Sequence, residues 1–507
     1  MDKLKQSVVY KYLKVLLCLF LMCVYPCAYM YLSNIGETKI KVVIVPLFMF
    51  YMIAFFVFHI VIIFARDIYK SGTIACVFML IFLNFNIVYK FIVSKIKIND
   101  IFLLVLFMFF WFVMSIYIVR SKIDYDLVVF CIIFAFGGLI LFNLIMAVPK
   151  FTKMNPKKNV IKVEQYAKNK NNRPNIYYVL LDEYAGKENL QYYYDFDNSK
   201  FLNDIEKMGF NISNTTYNYE GILTSEIVPN ILNLNYVTEI DGLQMNNLNL
   251  LDNPVMYRFF KDLGYDINII NHLGLFDTKD VNVLYETENA DREKGVGAHD
   301  VDYYLIFNSA IEQIYQIVKK SQKSSSYDNY RNDCKNAINM LKNSCDYVDD
   351  KPTFTLCYMM LPHQPFVFDE KGQPIDDEKK VYNWETPELY INQLKYLNGH
   401  LEEFIHNVKE KDPNAVIVIQ GDHGTRYAYF RMCDYAKDEY NAALETEKMQ
   451  NALNCVYFGG KKIDIEGMSA INTWRKILNE LYGTNYEMIN PEKKFVYKWK
   501  YCVGANR

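Results

Sequence analysis

Three short apolar runs in this 507-residue chain end on side chains that can do chemistry. The run NIYYVLL leads into Asp182-Glu183, AVIVIQG into Asp422-His423-Gly424, and TFTLCYMML into Pro362-His363-Gln364-Pro365. Carboxylate oxygens with an imidazole nitrogen form an N/O donor set suited to Mn²⁺ or Zn²⁺. Gly421 and Gly424 bracket the Asp422-His423 pair and would let the backbone approach a metal or an anion. Taken singly, an Asp after a strand also reads as a cap or turn residue, and His363 between two prolines as a rigid turn. The Gly-Asp-His-Gly quartet behind a β-branched run is harder to read that way, because buried Asp and His must be paired or liganded. A fourth stretch, NYEGILTSEIVPNILNLNY (218–236), supplies hydroxyls. Thr224 and Ser225 precede Glu226 and a helix-like run, so their hydroxyls fit an N-cap, where amides and the helix dipole suit phosphate or sulfate. Such a hydroxyl can cap the helix, act as a nucleophile, or do both.

The elements that must position these groups form an alternating series. Buried strand-like runs occur at 175–184, 267–273, 353–361, 415–421 and 454–460, with SKFLNDIEKMGF as a helix closing on Gly209. Helical stretches are expected at 303–319, 328–347, 387–410 and 469–482. Strands alternating with helices predict an α/β layered domain with a mostly parallel sheet, and such sheets bind ligands at the carboxyl ends of their strands. The three chemistry-bearing segments fall at such ends. Six cysteines (334, 345, 357, 433, 455, 502) lie in this part with no C-x-x-C pair, so a zinc ribbon is not expected and mostly buried free thiols are.

The first 149 residues belong to a different solvent. They hold 13 Lys+Arg and 6 Asp+Glu, a net charge of +7, while the remaining 358 residues carry −9. Five apolar stretches, at about 9–32, 41–65, 72–94, 100–119 and 125–148, each approach or exceed the roughly 20 residues a helix needs to cross a bilayer. Lys3, Lys5, Lys11 and Lys14, then Arg66 and Lys70, then Arg120 and Lys122 favour a cytoplasmic N-terminus, and five spans then place the polar part outside the cytoplasm. Lys150, Lys153, Lys157 and Lys158 pull mildly the other way. This division excludes a soluble single-domain protein, a disordered chain and a nucleic-acid binder driven by a basic surface. A transporter is the weakest reading of the membrane part. His59 is the one histidine in a span, expected to be packed or interfacial, and no paired intramembrane carboxylate is expected.

The ordered set NIYYVLLDEYA, the Thr224 segment, LPHQPFVFDEKG, VIVIQGDHG and SAINTWRKILNELYG resembles the alkaline phosphatase/sulfatase superfamily. The resemblance is to its membrane-anchored branch of lipoteichoic acid synthases and phosphoethanolamine transferases. It implies a five-helix transmembrane anchor (1–149), a linker (150–173), an extracytoplasmic sulfatase-like α/β domain with a mostly parallel sheet (174–490) and a C-terminal tail (491–507). By position it implies one divalent metal, Mn or Zn, on Asp182, Thr224, Asp422 and His423. Thr224 would be the nucleophile, with His363 and Arg426 binding substrate. The implied reaction moves a phosphoglycerol- or phosphoethanolamine-type group from a membrane lipid to a cell-surface glycan through a phosphothreonine. Use of water as acceptor would make a phosphodiester or sulfate ester hydrolase, and a site without metal would make a non-catalytic membrane scaffold. Two departures narrow these expectations. No C/S-x-P-x-R run stands near 218–236, as formylglycine sulfatases require, and no second Asp/His/His set suggests a two-metal site. Ser225 would be the nucleophile if the register slipped by one.

Overall fold

The computed structural model describes residues 7–33, 35, 40–93, 100–153, 173–219, 221–238, 247–272, 274–287, 305–306, 308–319, 327–348, 350–375, 386–427 and 439–490. Most of the expected linker, the expected tail, Cys433 and Cys502 lie outside them. The chain divides into two compact units. One comprises Met1–Lys157 with Glu293–Lys323, the other Lys158–Arg292 with Ser324–Arg507.

The first unit is helical: α1 (Val8–Ser33), α2 (Lys41–Ala65), α3 (Ile68–Leu83), α4 (Phe85–Val93), α5 (Asp100–Arg120) and α6 (Tyr125–Lys153). Four helices, Val8–Ser33, Val42–Ala65, Ile101–Arg120 and Tyr125–Pro149, are long and apolar enough to cross a membrane. The third expected span (72–94) is instead broken at Asn84 into α3, of 16 residues, and α4, of 9. The Asn84 side chain turns back to donate to Leu80 O at 2.8 Å, competing with continuation of the helix. His59 is packed as expected. Its Nδ1 donates to Phe55 O at 2.7 Å and its Nε2 accepts from the Tyr12 hydroxyl at 2.6 Å. The expectation of no paired carboxylate fails at the start of α6, where Asp126 accepts from Lys14 Nζ at 2.5 Å. The helix Ile311–Lys319, expected between strands of the sheet domain, also belongs to this first unit.

The second unit is built on a seven-stranded sheet: β1 (Ile176–Leu181), β2 (Asn211–Ile212), β3 (Asp266–Asn271), β4 (Asn282–Glu286), β5 (Thr353–Met359), β6 (Val416–Gly421) and β7 (Asn454–Phe458), in the order β2-β7-β6-β1-β5-β3-β4. From β6 to β4 the pairing is parallel, and β7 runs antiparallel to β6. The sheet is thus mixed but mostly parallel. All six residues of β1 and β6 and all seven of β5 are buried, as expected of strands covered by helices on both faces, which is why their sequences read as continuous apolar runs. One cover is the 25-residue helix Pro387–Lys411, and another is Ala470–Tyr482, whose Trp474 packs edge-on against Tyr178 at 4.8 Å between ring centroids. Register decides where the site falls. Leu181 at the end of β1 stands opposite both Met359 and Gly421, so the residues after all three strands emerge together at one sheet edge. Cys334, Cys357 and Cys455 are buried free thiols, and Cys345 is a partly buried one.

Candidate metal centre and active site

Asp182, Asp422 and His423 emerge from the central strands with one ligand atom each, all within 4.8 Å of one another, and all three residues are buried. Among the described residues this is the single such cluster. His423 is oriented by its other ring nitrogen: Nδ1 donates to Gly424 O at 2.8 Å, leaving the Nε2 lone pair free. That Nε2 has no hydrogen-bond partner, and neither has Asp182 Oδ1, 3.8 Å away. The same Nε2 lies 3.5 Å from Asp422 Oδ2. Two orphaned buried acceptors beside a second carboxylate form a donor set that a divalent cation satisfies and that protein hydrogen bonds here do not. The residues present therefore fit one Mn²⁺ or Zn²⁺.

Both carboxylates are held from behind. Asp182 Oδ2 accepts from the buried Tyr358 hydroxyl at 2.7 Å. Asp422 Oδ1 accepts from the backbone N–H of His423 at 2.8 Å and of Glu183 at 3.0 Å. Glu183 can aim its N–H there because its backbone takes the left-handed region, φ 58°, a conformation costly for a residue with a Cβ. Asn218 clamps the same turn, donating to Asp422 O at 2.7 Å while accepting from Ala470 N at 2.9 Å. The glycines work differently from expectation: the backbone approach they permit is to the protein itself. A Cβ on Gly421 would sit 2.1 Å from Tyr184 O, and one on Gly424 would sit 2.4 Å from Asn189 Nδ2 and 2.5 Å from Asn451 O.

Thr224 opens a helix, α7 here (Thr224–Leu232), but it is not the cap. The N-cap is Leu223, without any side-chain cap bond, so the capping expectation for Thr224 and Ser225 is corrected. The Thr224 hydroxyl donates instead to Asp422 Oδ2 at 2.9 Å, whereas the buried Ser225 hydroxyl meets no partner. Glu226 turns back to accept from Ile222 N at 3.1 Å, across a chain segment where a Cβ on Gly221 would strike its carboxylate at 2.2 Å.

His363 and Arg426 stand beside this centre, joined to a residue that sequence reading passed over. Arg426 Nε donates to Glu183 Oε1 at 2.5 Å, and its Nη2 lies 2.6 Å from His363 Nε2. His363 Nδ1 donates to Gln364 O at 2.5 Å, so Nε2 is the acceptor for Arg426. Its backbone N–H donates to Asp182 O at 3.3 Å, which ties the His363 turn to the end of β1. Glu183 was legible only as the second half of an acidic pair. Nothing in its position announces the left-handed backbone that turns its carboxylate toward Arg426. Tyr358, Asn218 and Asn189 carried no signal beyond core or polar residues near strand ends.

Charge follows from this packing. Burial pushes the Asp422 carboxyl up to about 6, with Asp182 adding to the rise and His423 opposing it. Burial would also raise Asp182, but His363, His423 and Arg426 outweigh it and hold that carboxyl below its usual value. Arg426 loses hydration, yet Glu183 first and then Asp182 keep it firmly protonated. With one arginine, three carboxylates (Asp182, Glu183 and Asp422) and two imidazoles, this buried group is short of positive charge until a divalent cation is counted.

The Sulfatase family model matches residues 174–452, more than half of the chain. Lipoteichoic acid synthase of Staphylococcus aureus (strain USA300) is 32% identical over 135 residues, covering 24% of this chain and 20% of that protein. The matched stretch thus spans about a fifth of that relative. Among solved structures, the zinc complex of the C-terminal periplasmic domain of EcEptC from Escherichia coli shares 15% identity over 66% of this chain and 90% of its own, with a TM-score of 0.38. Lipooligosaccharide phosphoethanolamine transferase A from Neisseria meningitidis shares 11% over 92% and 95%, also at 0.38. The extent of the family match, read with the apolar helices that precede it, places the chain in the sulfatase family, in the membrane-anchored branch of the alkaline phosphatase superfamily.

Proposed function

We propose that this protein is a metal-dependent transferase that moves a phosphoglycerol- or phosphoethanolamine-type group from a membrane lipid to a cell-surface glycan. The observation that carries the reading is the Thr224 hydroxyl, at a helix N-terminus, bonded to Asp422 within a donor set that has orphaned acceptors. The stretch shared with a lipoteichoic acid synthase supports the headgroup chemistry. The basic residues between the apolar stretches support a cytoplasmic N-terminus, and an extracytoplasmic sheet unit then requires α3 and α4 to cross together as a fifth span beside the four long helices.

A divalent cation held by Asp182, Asp422, His423 and Thr224 would lower the threonine hydroxyl pKa and offset charge on the transferring group. In the first step Thr224 Oγ1 bonds to the lipid phosphorus as the bond from phosphorus to the diacylglycerol oxygen breaks, and the hydroxyl proton, taken up by Asp422 Oδ2 2.9 Å away, is passed to that departing oxygen. In the second step an acceptor hydroxyl bonds to phosphorus as the Thr224 ester bond breaks, and the acceptor's proton passes through Asp422 to the Thr224 oxygen, restoring its hydroxyl. Arg426 would offer guanidinium N–H groups to the non-bridging phosphate oxygens, oriented by His363, whose Nε2 accepts from its Nη2, and the first amides of α7 would add to the same field.

The test uses the purified full chain with Mn²⁺ and a headgroup-labelled phospholipid. Turnover that Thr224→Ala abolishes supports the assignment, and unchanged turnover in that variant overturns it. Counting label released as free headgroup against label on an added glycan separates transfer from hydrolysis.

A further inference from the structure

Residues 305–319 lie in sequence between β4 and β5 of the sheet unit, yet they pack within the membrane-type unit. The contact is specific. Ala310 N donates to Phe82 O at 2.9 Å, and Asn86 N donates to Asn308 O at 3.0 Å. Phe82 O, which otherwise meets only the N–H of the cap residue Asn84, is among the last carbonyls of α3 and Asn86 N among the first amides of α4, groups that a helix break leaves short of partners. Within an apolar layer such groups must be satisfied by protein, and residues 308–310 do so at the break. Gln313 Nε2 then donates to Asn86 Oδ1 at 3.0 Å, with both residues buried. Leu305 and Ala310 join the buried cluster of the helical unit, and Ile311 packs against it.

From this seat the helix Ile311–Lys319 carries an apolar stripe onward. Ile311, Ile314, Tyr315 and Val318 follow i, i+3, i+4, i+7 spacing, with Glu312, Gln313, Gln316 and Ile317 between them and Lys319 after. Ile311 is covered by the bundle, but Ile314 is 50% and Tyr315 46% exposed. On the adjoining α4, Ile87, Val88 and Phe91 are likewise exposed, as are apolar residues along the four long helices. The stripe is therefore continuous with a surface whose surroundings are lipid. In sequence it runs into Lys319, Lys320 and Lys323, a cationic end that complements anionic headgroups.

We propose that residues 305–319 form a second membrane-contacting element, seated at the α3–α4 break and lying in the lipid interface with Ile314 and Tyr315 toward acyl chains. The partner is the lipid surface itself.

The test places the photoreactive residue p-benzoylphenylalanine at 314 or 315 of the full chain, in vesicles of phosphatidylglycerol and phosphatidylethanolamine. Position 109, exposed on α5, serves as the lipid-facing reference, and position 347, exposed in the sheet unit, as the aqueous one. Lipid adducts at 314 and 315 comparable to those at 109, and severalfold above 347, are expected. Adducts at the level of 347, or adducts to protein in place of lipid, overturn the proposal. Adding Gln313→Ala should lower lipid adducts at 315 severalfold and leave those at 109 unchanged. An unchanged yield at 315 would overturn the seat at Asn86.

Discussion

Replacing Glu183 by Gln asks how far charge, rather than shape, holds Arg426 beside Asp182 and Asp422. Glu183 is fully buried and accepts from Arg426 Nε at 2.5 Å, while the Arg426 side chain is 16% exposed. Removing one partner of a buried ion pair costs roughly 3–5 kcal/mol when the other charge is left uncompensated. Two features reduce that figure here. Arg426 reaches some water, and Asp182 and Asp422 also favour its charged form. Glu183→Gln should therefore destabilise the sheet unit by about 2 kcal/mol, a fall of roughly 4 °C in the unfolding midpoint. The assay is thermal unfolding of the metal-free full chain in detergent, followed by near-ultraviolet circular dichroism. A cycle with Arg426→Gln isolates the pair: the double variant should lose less than the sum of the singles by about 1.5 kcal/mol. Additivity within about 0.5 kcal/mol would refute the reasoning and leave Glu183 as a backbone feature only.

Further outcomes follow from the site and from the helix Pro387–Lys411. Asp422→Asn should weaken Mn²⁺ or Zn²⁺ binding beyond detection by calorimetry, and Tyr358→Phe, which removes the bond orienting Asp182, should weaken it about tenfold. In the metal-free protein Asp422 titrates near 6, above its unfolded value, so its contribution favours folding at low pH and is lost as pH rises through about 6. Asp182, shifted down, contributes with the opposite sign. The midpoint of the Asp422→Asn variant should accordingly fall less than that of the parent between pH 5 and 7, and an equal fall would contradict the assignment. Gly424→Ala should cost about 1–3 kcal/mol by driving a methyl into Asn189 and Asn451. Gly399→Ala, with nothing within 4 Å of the added carbon, should stabilise its helix by about 0.5–1 kcal/mol.

What could be read in advance followed the physics of burial. The runs that became β1, β5, β6 and β7 were legible because strands covered on both faces are apolar throughout. β4 escaped notice because its five residues, NVLYE, are exposed or half-buried and carry neither a run nor a clean alternation. The helix at Ile311–Lys319 was legible as a helix but assigned to the wrong neighbour, since periodicity reveals an apolar face and not what covers it. The third span was legible as apolar length, while its break depends on Asn84 turning onto Leu80. At the site, the strand-end rule found the Asp and His side chains, and the structure places Asp182, Thr224, His363, Asp422, His423 and Arg426 in one hydrogen-bonded or near-contact group. The layer behind them stayed hidden because asparagine and tyrosine mid-chain look the same whether they brace a turn or fill a core.

The sheet order also sets a schedule for the growing chain. β1 is central, but its two neighbours are β5 and β6, so the earliest strand of the sheet pairs only with late ones. Glu183 and Asp422 meet across 239 residues of sequence. At about 5–20 residues per second of synthesis, Asp182 waits on the order of ten to fifty seconds for Asp422 and His423. During that interval six buried-type residues of β1, Ile176 to Leu181, have no partner on either side and form an aggregation-prone segment. A chain stopped anywhere before Asp422 would lack both the second half of the donor set and the strand that closes the sheet. Metal capture would then report on completed synthesis, and shielding of β1 until β5 and β6 have been made becomes a requirement of the topology.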